Sequence, residues 1–179
     1  MLKNFHHARY FFFLFAAMGI VSPYLGWWLQ QVLPTSSASI VLACFYATLI
    51  VTPSVWGHAA FSSNKPGRWL SRGTLLAAIF ALGLTQIHEI TPLIACCFLM
   101  IAFGIFYNPL MSLLDAIAYS QVADTHVYSR IRLYGSLGFL LFSSIIGGMV
   151  VLSHPSLFPF FVSGTLLLTY AVSWPYRQS

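Results

Sequence analysis

The sequence consists of six long apolar runs, and every charged residue except Asp115 lies between the runs, near the chain ends or in the first residues of a run. Runs of about 20 apolar residues cross a bilayer as α-helices, because lipid offers the backbone no hydrogen-bonding partner. The pattern therefore predicts an all-α membrane protein, with a bundle of six transmembrane helices forming one domain over residues 1–179. The predicted helices cover residues 10–33, 37–62, 69–87, 92–122, 130–153 and 156–174.

The Lys and Arg residues alternate with these runs, so that all of them fall on one side of the predicted membrane. They are Lys3, Arg9, Lys65, Arg68, Arg72, Arg130, Arg132 and Arg177. The positive-inside rule makes this side cytoplasmic, which predicts a multi-pass protein of the bacterial inner membrane with both termini in the cytoplasm. The cations are scattered singly or in short groups, so the net charge of +5 does not indicate nucleic-acid binding.

Composition leads independently to the same class of protein. With 59% hydrophobic residues, 6% charged residues and a mean hydropathy of +0.82, the chain lacks the polar surface of a soluble globule, and its expected environment is the lipid bilayer. The first apolar run is too long for the core of a signal peptide, so it is expected to remain as a helix. The cysteines and histidines lack metal-ligand spacing, and we expect neither a metal nor another cofactor.

The fourth predicted helix carries a polar stripe at helical spacing, formed by Asn108, Ser112, Asp115 and Tyr119. Asp115 is the only carboxylate within a predicted span, and an ionised carboxylate at the bilayer centre costs roughly 2.5–3.5 kcal/mol even on the lower scales. The stripe is therefore expected to face another helix or a water-filled cavity.

Arg132, at the start of the fifth predicted helix, is the natural partner for Asp115, and Ser136 continues its face. Two interpretations of each charge stay open. Arg132 either pairs with Asp115 or with substrate, or it anchors the helix by extending to the headgroups. Asp115 either serves function or forms a purely structural ion pair.

An enzymatic function is not predicted. A rhomboid-like membrane protease needs Gly-x-Ser-Gly, whereas Gly135-Ser136-Leu137-Gly138 has a different order, and His88 falls in a predicted outer loop.

Residues 128–139, Tyr-Ser-Arg-Ile-Arg-Leu-Tyr-Gly-Ser-Leu-Gly-Phe, together with Pro109-Leu110 and Asp115, resemble the fourth-to-fifth helix region of major facilitator superfamily transporters. The similarity is strongest to the phenylpropionate-permease-like branch and extends to the lactose-permease-like branch. Residues 19–25 resemble the first helix of the former branch.

This resemblance implies that Asp115 and Arg132 correspond to a substrate-contacting pair, with Asn108 and Tyr24 beside the cavity. With Tyr119 and Ser136 they make up the candidate substrate-binding or coupling residues. The family's gating loop between helices two and three is represented by Gly57, Lys65, Gly67 and Arg68, but Phe61 stands where that loop usually has an aspartate.

Transporters of this superfamily have two six-helix halves, so the chain is expected to be the N-terminal half, without the second half. The resemblance implies proton-coupled symport of a small organic solute, such as an aromatic acid, a sugar or a nucleoside, by alternating access. The expected partners are protons, that solute, and a second six-helix half or a homodimer partner. The alternative is a non-transporting membrane assembly or regulatory protein derived from a truncated transporter.

Overall fold

A computed structural model describes residues 2–122, 125–152 and 155–177, and this part of the chain is helical without any strand. The α-helices are α1 (Leu2–Val32), α2 (Thr35–Ser62), α3 (Pro66–Gly83), α4 (Leu93–Tyr107), α5 (Pro109–Gln121), α6 (Thr125–Leu152) and α7 (Phe158–Ala171). Short 3-10 turns occupy Leu84–Gln86, Pro155–Leu157 and Trp174–Arg177. The all-α prediction is confirmed.

Helices α4 and α5 together form the fourth predicted helix, so the seven described α-helices correspond to the six predicted ones. Asn108 separates them but keeps helical backbone angles (φ −62°, ψ −35°). Pro109 follows and cannot donate a backbone hydrogen bond, which interrupts the helical ladder. The chain therefore continues through the break, and Leu93–Gln121 remains one apolar segment.

Four helices begin earlier than predicted, and the difference is largest for α1 and α6. The first starts at Leu2 rather than at residue 10, and the one containing Arg132 starts at Thr125 rather than at residue 130. The prediction placed each start where the apolar run begins, but a helix satisfies its own backbone and can extend past the hydrocarbon into the interface. As a consequence, Tyr128 lies inside α6, one turn before Arg132.

Within the described residues, three segments are long and apolar enough to cross a membrane, namely His6–Val32, Thr35–Ser62 and Leu93–Gln121. A shorter apolar helical segment covers Pro155–Ala171. Much of the apolar surface on these segments is exposed, including Ile50 and Ile94 at 81% and 84%. Such surface is costly in water, which supports a bilayer environment.

Helix α1 packs along α6, and this pair has the most extensive contact in the bundle. A Cβ atom on Gly19 would lie 2.5 Å from the Phe139 carbonyl oxygen, and one on Gly138 would overlap the Phe12 carbonyl. Glycine is required at these positions because the two backbones touch. The interface fixes α6 against α1, and with it the backbone positions of Tyr128 and Arg132.

Among the remaining helices, α2 packs against α4 and α5, and α3 packs against α7 and α4. Buried polar contacts join α1 to α3 and to the 3-10 turn Trp174–Arg177. Tyr10 bonds Thr74 at 2.5 Å, and the Tyr176 hydroxyl bonds Nδ1 of His7. Burial raises the pKa of Tyr176 above the usual value of a tyrosine.

Candidate functional site

Asp115, Tyr128 and Arg132 form a polar cluster where α5 ends and α6 begins. The Tyr128 hydroxyl donates to Oδ1 of Asp115 at 2.7 Å. Arg132 interacts with the same phenol from one helical turn further along α6. Both charged residues that the sequence predicts as a pair therefore interact with the hydroxyl group of Tyr128, which lies between them.

This Asp115–Tyr128–Arg132 cluster lies at an open face of the bundle. Asp115 is half-buried and Arg132 is exposed. Tyr119, one turn after Asp115, is 71% exposed, and its ring meets the Tyr128 ring edge-on with the centroids 6.0 Å apart. A solute could therefore reach the arginine and both phenols without displacing buried side chains.

A phenol provides one donor and two acceptor positions, so Tyr128 can donate to Asp115 while it accepts from Arg132. Protonation of Asp115 would turn that carboxyl group into a donor, and the Tyr128 hydrogen would become available to another acceptor. The guanidinium matches a carboxylate in charge and in bidentate geometry. The cluster can thus bind an anion and exchange a proton.

Ser136 lies on α6 close to this cluster, whereas Tyr24 of α1 contacts α6 much further along that helix. Ser136 is exposed one turn beyond Arg132. The Tyr24 hydroxyl donates to the Ser143 carbonyl at 2.7 Å, which joins α1 to α6. Ser143 is about 16 Å beyond Arg132 along the helix axis, so Tyr24 lies at a separate position.

Asn108 is buried in a joint between helices. Its side-chain amide donates to the Phe45 carbonyl at 3.2 Å and to Oγ1 of Thr48 at 2.8 Å. Both acceptors belong to α2, so Asn108 connects that helix to the break between α4 and α5. Its two amide hydrogens are committed there, whereas Ser112, on the same stripe, is exposed.

The four candidate gating residues do not form one loop. Gly57 lies within α2 and Lys65 is exposed immediately before α3. Gly67 is buried and Arg68 exposed in the first turn of α3. The turn itself passes through Asn64, whose φ of 54° is left-handed, a conformation that asparagine adopts more readily than most residues.

The residue that sequence reasoning missed is Tyr128, which appeared only as one letter of a similar segment. The available signal was its spacing of four residues before Arg132, which puts both side chains on one face of a helix. The prediction had placed Tyr128 in a turn.

Among the described residues, no group of three or more His, Cys, Asp or Glu side chains could hold a metal ion.

The family model described as "MFS_1 like family" matches residues 6–177, nearly the whole chain. The chain belongs to the major facilitator superfamily. This confirms the resemblance carried by the segment around Arg132.

The chain is 26% identical over 149 residues to the "Probable 3-phenylpropionic acid transporter" of Escherichia coli (strain K12). The matched region covers 79% of this chain and 37% of that relative, so the chain spans well under half the length of the curated protein that it matches. No solved structure matches the chain.

Proposed function

We propose that this six-helix bundle is one half of a secondary active transporter for a small organic anion, coupled to protons. The main support for this proposal is the Asp115–Tyr128–Arg132 cluster. In this cluster an exposed arginine is linked through a phenol to the only carboxylate within the predicted spans. Membership in a family of transporters supports transport over catalysis.

The proposed substrate class is a carboxylate on an apolar body, such as an aromatic acid. Arg132 would bind the carboxylate as a bidentate partner, and the neighbouring rings of Tyr119 and Tyr128 would pack against the apolar part. The printed name of the relative, a probable 3-phenylpropionic acid transporter, supports the same class. A sugar or a nucleoside could form hydrogen bonds with the cluster, but it carries no negative charge to pair with the guanidinium of Arg132.

Alternating access requires a second wall around this open face. We propose that a second six-helix unit supplies it, and that rocking of one unit against the other exposes the cluster to each side of the membrane in turn. An exposed Arg132 beside Asp115 fits a water-filled cavity between two such units, because ionised groups facing lipid are costly.

Proton coupling would act through Asp115. Substrate on Arg132 and a proton on Asp115 would neutralise both charges together, which lowers the cost of enclosing the loaded site in a low-dielectric interior while the two units rock. A monoanion carried with one proton moves no net charge, so the pH difference rather than the membrane potential would drive uptake.

Uptake of radiolabelled 3-phenylpropionate into inverted and right-side-out membrane vesicles containing the chain tests this proposal. We expect Asp115→Asn and Arg132→Ala to abolish uptake while membrane insertion is retained. Arg130→Ala is the matched control, because it removes an exposed cation from the same turn of α6. Full uptake in both site variants, or an equal loss in the control, would remove the assignment.

A further inference from the structure

Two free cysteines from different helices meet between α2 and α4. Cys44 lies in the first half of α2 and Cys97 near the start of α4. Their thiol groups form a hydrogen bond with each other. Both side chains are partly exposed, so a small reagent can reach them. The fold therefore places two oxidisable groups in direct contact.

The packing of α2 against α4 explains this contact. A Cβ atom on Gly104 would overlap Oγ1 of Thr48, and the Asn108 amide donates to the same hydroxyl at 2.8 Å. Thr48 lies one turn after Cys44, and Gly104 lies two turns after Cys97. Each cysteine is therefore on the face of its helix that meets the other helix.

This arrangement suits a disulfide between the two helices. A disulfide requires side chains that point towards each other and Cα atoms within roughly 7 Å. The hydrogen bond between the thiols of Cys44 and Cys97 shows that the side chains converge. Gly104 permits the close approach of the helices, because a side chain there would collide with α2.

Cys96, the third cysteine, has different surroundings although it is adjacent to Cys97. It is buried, and its thiol donates to the Thr91 carbonyl at 3.9 Å. Successive side chains of an α-helix point about 100° apart, so Cys96 and Cys97 face different neighbours. Cys96 is therefore a matched control for the chemistry of the other two thiols.

Both thiols of the pair lie towards the predicted outer side of the membrane. The Lys and Arg residues mark the opposite side as cytoplasmic, and α2 and the α4–α5 segment each begin at the outer side. Cys44 and Cys97 occupy the first halves of these segments. Disulfides persist in compartments outside the reducing cytoplasm.

We propose that Cys44 and Cys97 are an oxidation site at which a peroxide forms a reversible disulfide between α2 and α4. One thiolate attacks a peroxide oxygen, the O–O bond breaks, and a sulfenic acid and water result. The second thiol then attacks that sulfur, the S–S bond forms, and a second water leaves. The two sulfur atoms lose two electrons in total, and hydrogen peroxide gains them. A reducing thiol reverses the reaction by exchange.

Mass spectrometry of the full chain, reduced, purified in detergent and then treated with hydrogen peroxide, tests this proposal. We expect the intact mass to fall by two hydrogen atoms and to return after reduction. Digestion with pepsin under acidic conditions, which suppress disulfide exchange, should yield the peptide containing Cys44 joined to the peptide containing Cys97. This peptide map uses the unmutated chain, so it does not depend on whether a variant folds.

Substitution of single cysteines identifies the partners independently. Cys96→Ala should still lose two hydrogen atoms, whereas Cys44→Ala and Cys97→Ala should not. An intrachain disulfide that persists in Cys44→Ala, or peptides joined through Cys96 in the unmutated chain, would overturn the proposal. Addition of oxygen without loss of hydrogen, or a disulfide between two chains, would also overturn it.

Discussion

Asn108 and Asp115 lie seven residues apart on one polar stripe, yet the structure gives them opposite surroundings. Asn108 is buried and donates to two groups of α2, whereas Asp115 is half-buried and accepts from Tyr128 at the open face of α6. The first is a joint within the bundle, and the second is an accessible cluster that includes a cation. A shared helical face therefore does not imply a shared function, because neighbouring helices cover one part of the stripe and leave the other open.

Removal of the charge on Arg132 tests this contrast most directly. Arg132→Ala should reduce uptake by at least roughly thirtyfold, equivalent to about 2 kcal/mol, because the substrate carboxylate loses its only paired cation in the cluster. Thermal unfolding followed by the helical signal should be almost unchanged, since the side chain is exposed. A large fall in stability would instead make Arg132 a structural residue.

Asn108→Ala should have the opposite effect to Arg132→Ala, because it should lower the stability of the bundle. Removal of the amide deletes two buried hydrogen bonds, to the Phe45 carbonyl and to the Thr48 hydroxyl, and each contributes about 0.5–1.5 kcal/mol. We expect this loss in the free energy of unfolding, measured in detergent with increasing denaturant. Ser112→Ala, at an exposed position of the same stripe, is the control and should have little effect. Equal stability of the two variants would contradict the assignment of Asn108 as a structural link between α2 and the break at Pro109.

Tyr128→Phe removes the hydroxyl that lies between Asp115 and Arg132 and keeps the ring. One hydrogen bond to a charged group contributes about 1.5–3 kcal/mol, so uptake should fall by roughly tenfold or more. An unaltered rate would exclude the Tyr128 hydroxyl from the transport path.

The smallest effect is expected for Tyr119→Phe. The ring contact with Tyr128 depends on the aromatic edge and not on the hydroxyl, and the side chain is 71% exposed. Uptake should stay within about twofold, which is less than 0.5 kcal/mol. A larger loss would place the Tyr119 hydroxyl in contact with the substrate.

Several features of the site could be predicted from the sequence. Long apolar runs predicted the all-α membrane fold, and a lone carboxylate in a span predicted that Asp115 would avoid lipid. The segment around Arg132 identified the family. Tyr128 could not be assigned because the start of α6 was placed five residues too late, where hydropathy falls but the helix continues.

Hydrophobicity and charge are local properties, so the sequence by itself determined the helical class, the division into spans and the residues that are too polar for lipid. The tertiary structure alone decided which of those residues meet. Close contact between α1 and α6 at Gly19 and Gly138 orients Tyr128 and Arg132, and the break at Pro109 leaves Asn108 against α2. Such relations depend on how helices distant in the sequence pack against each other, and the pattern along one helix carries no information about its neighbours.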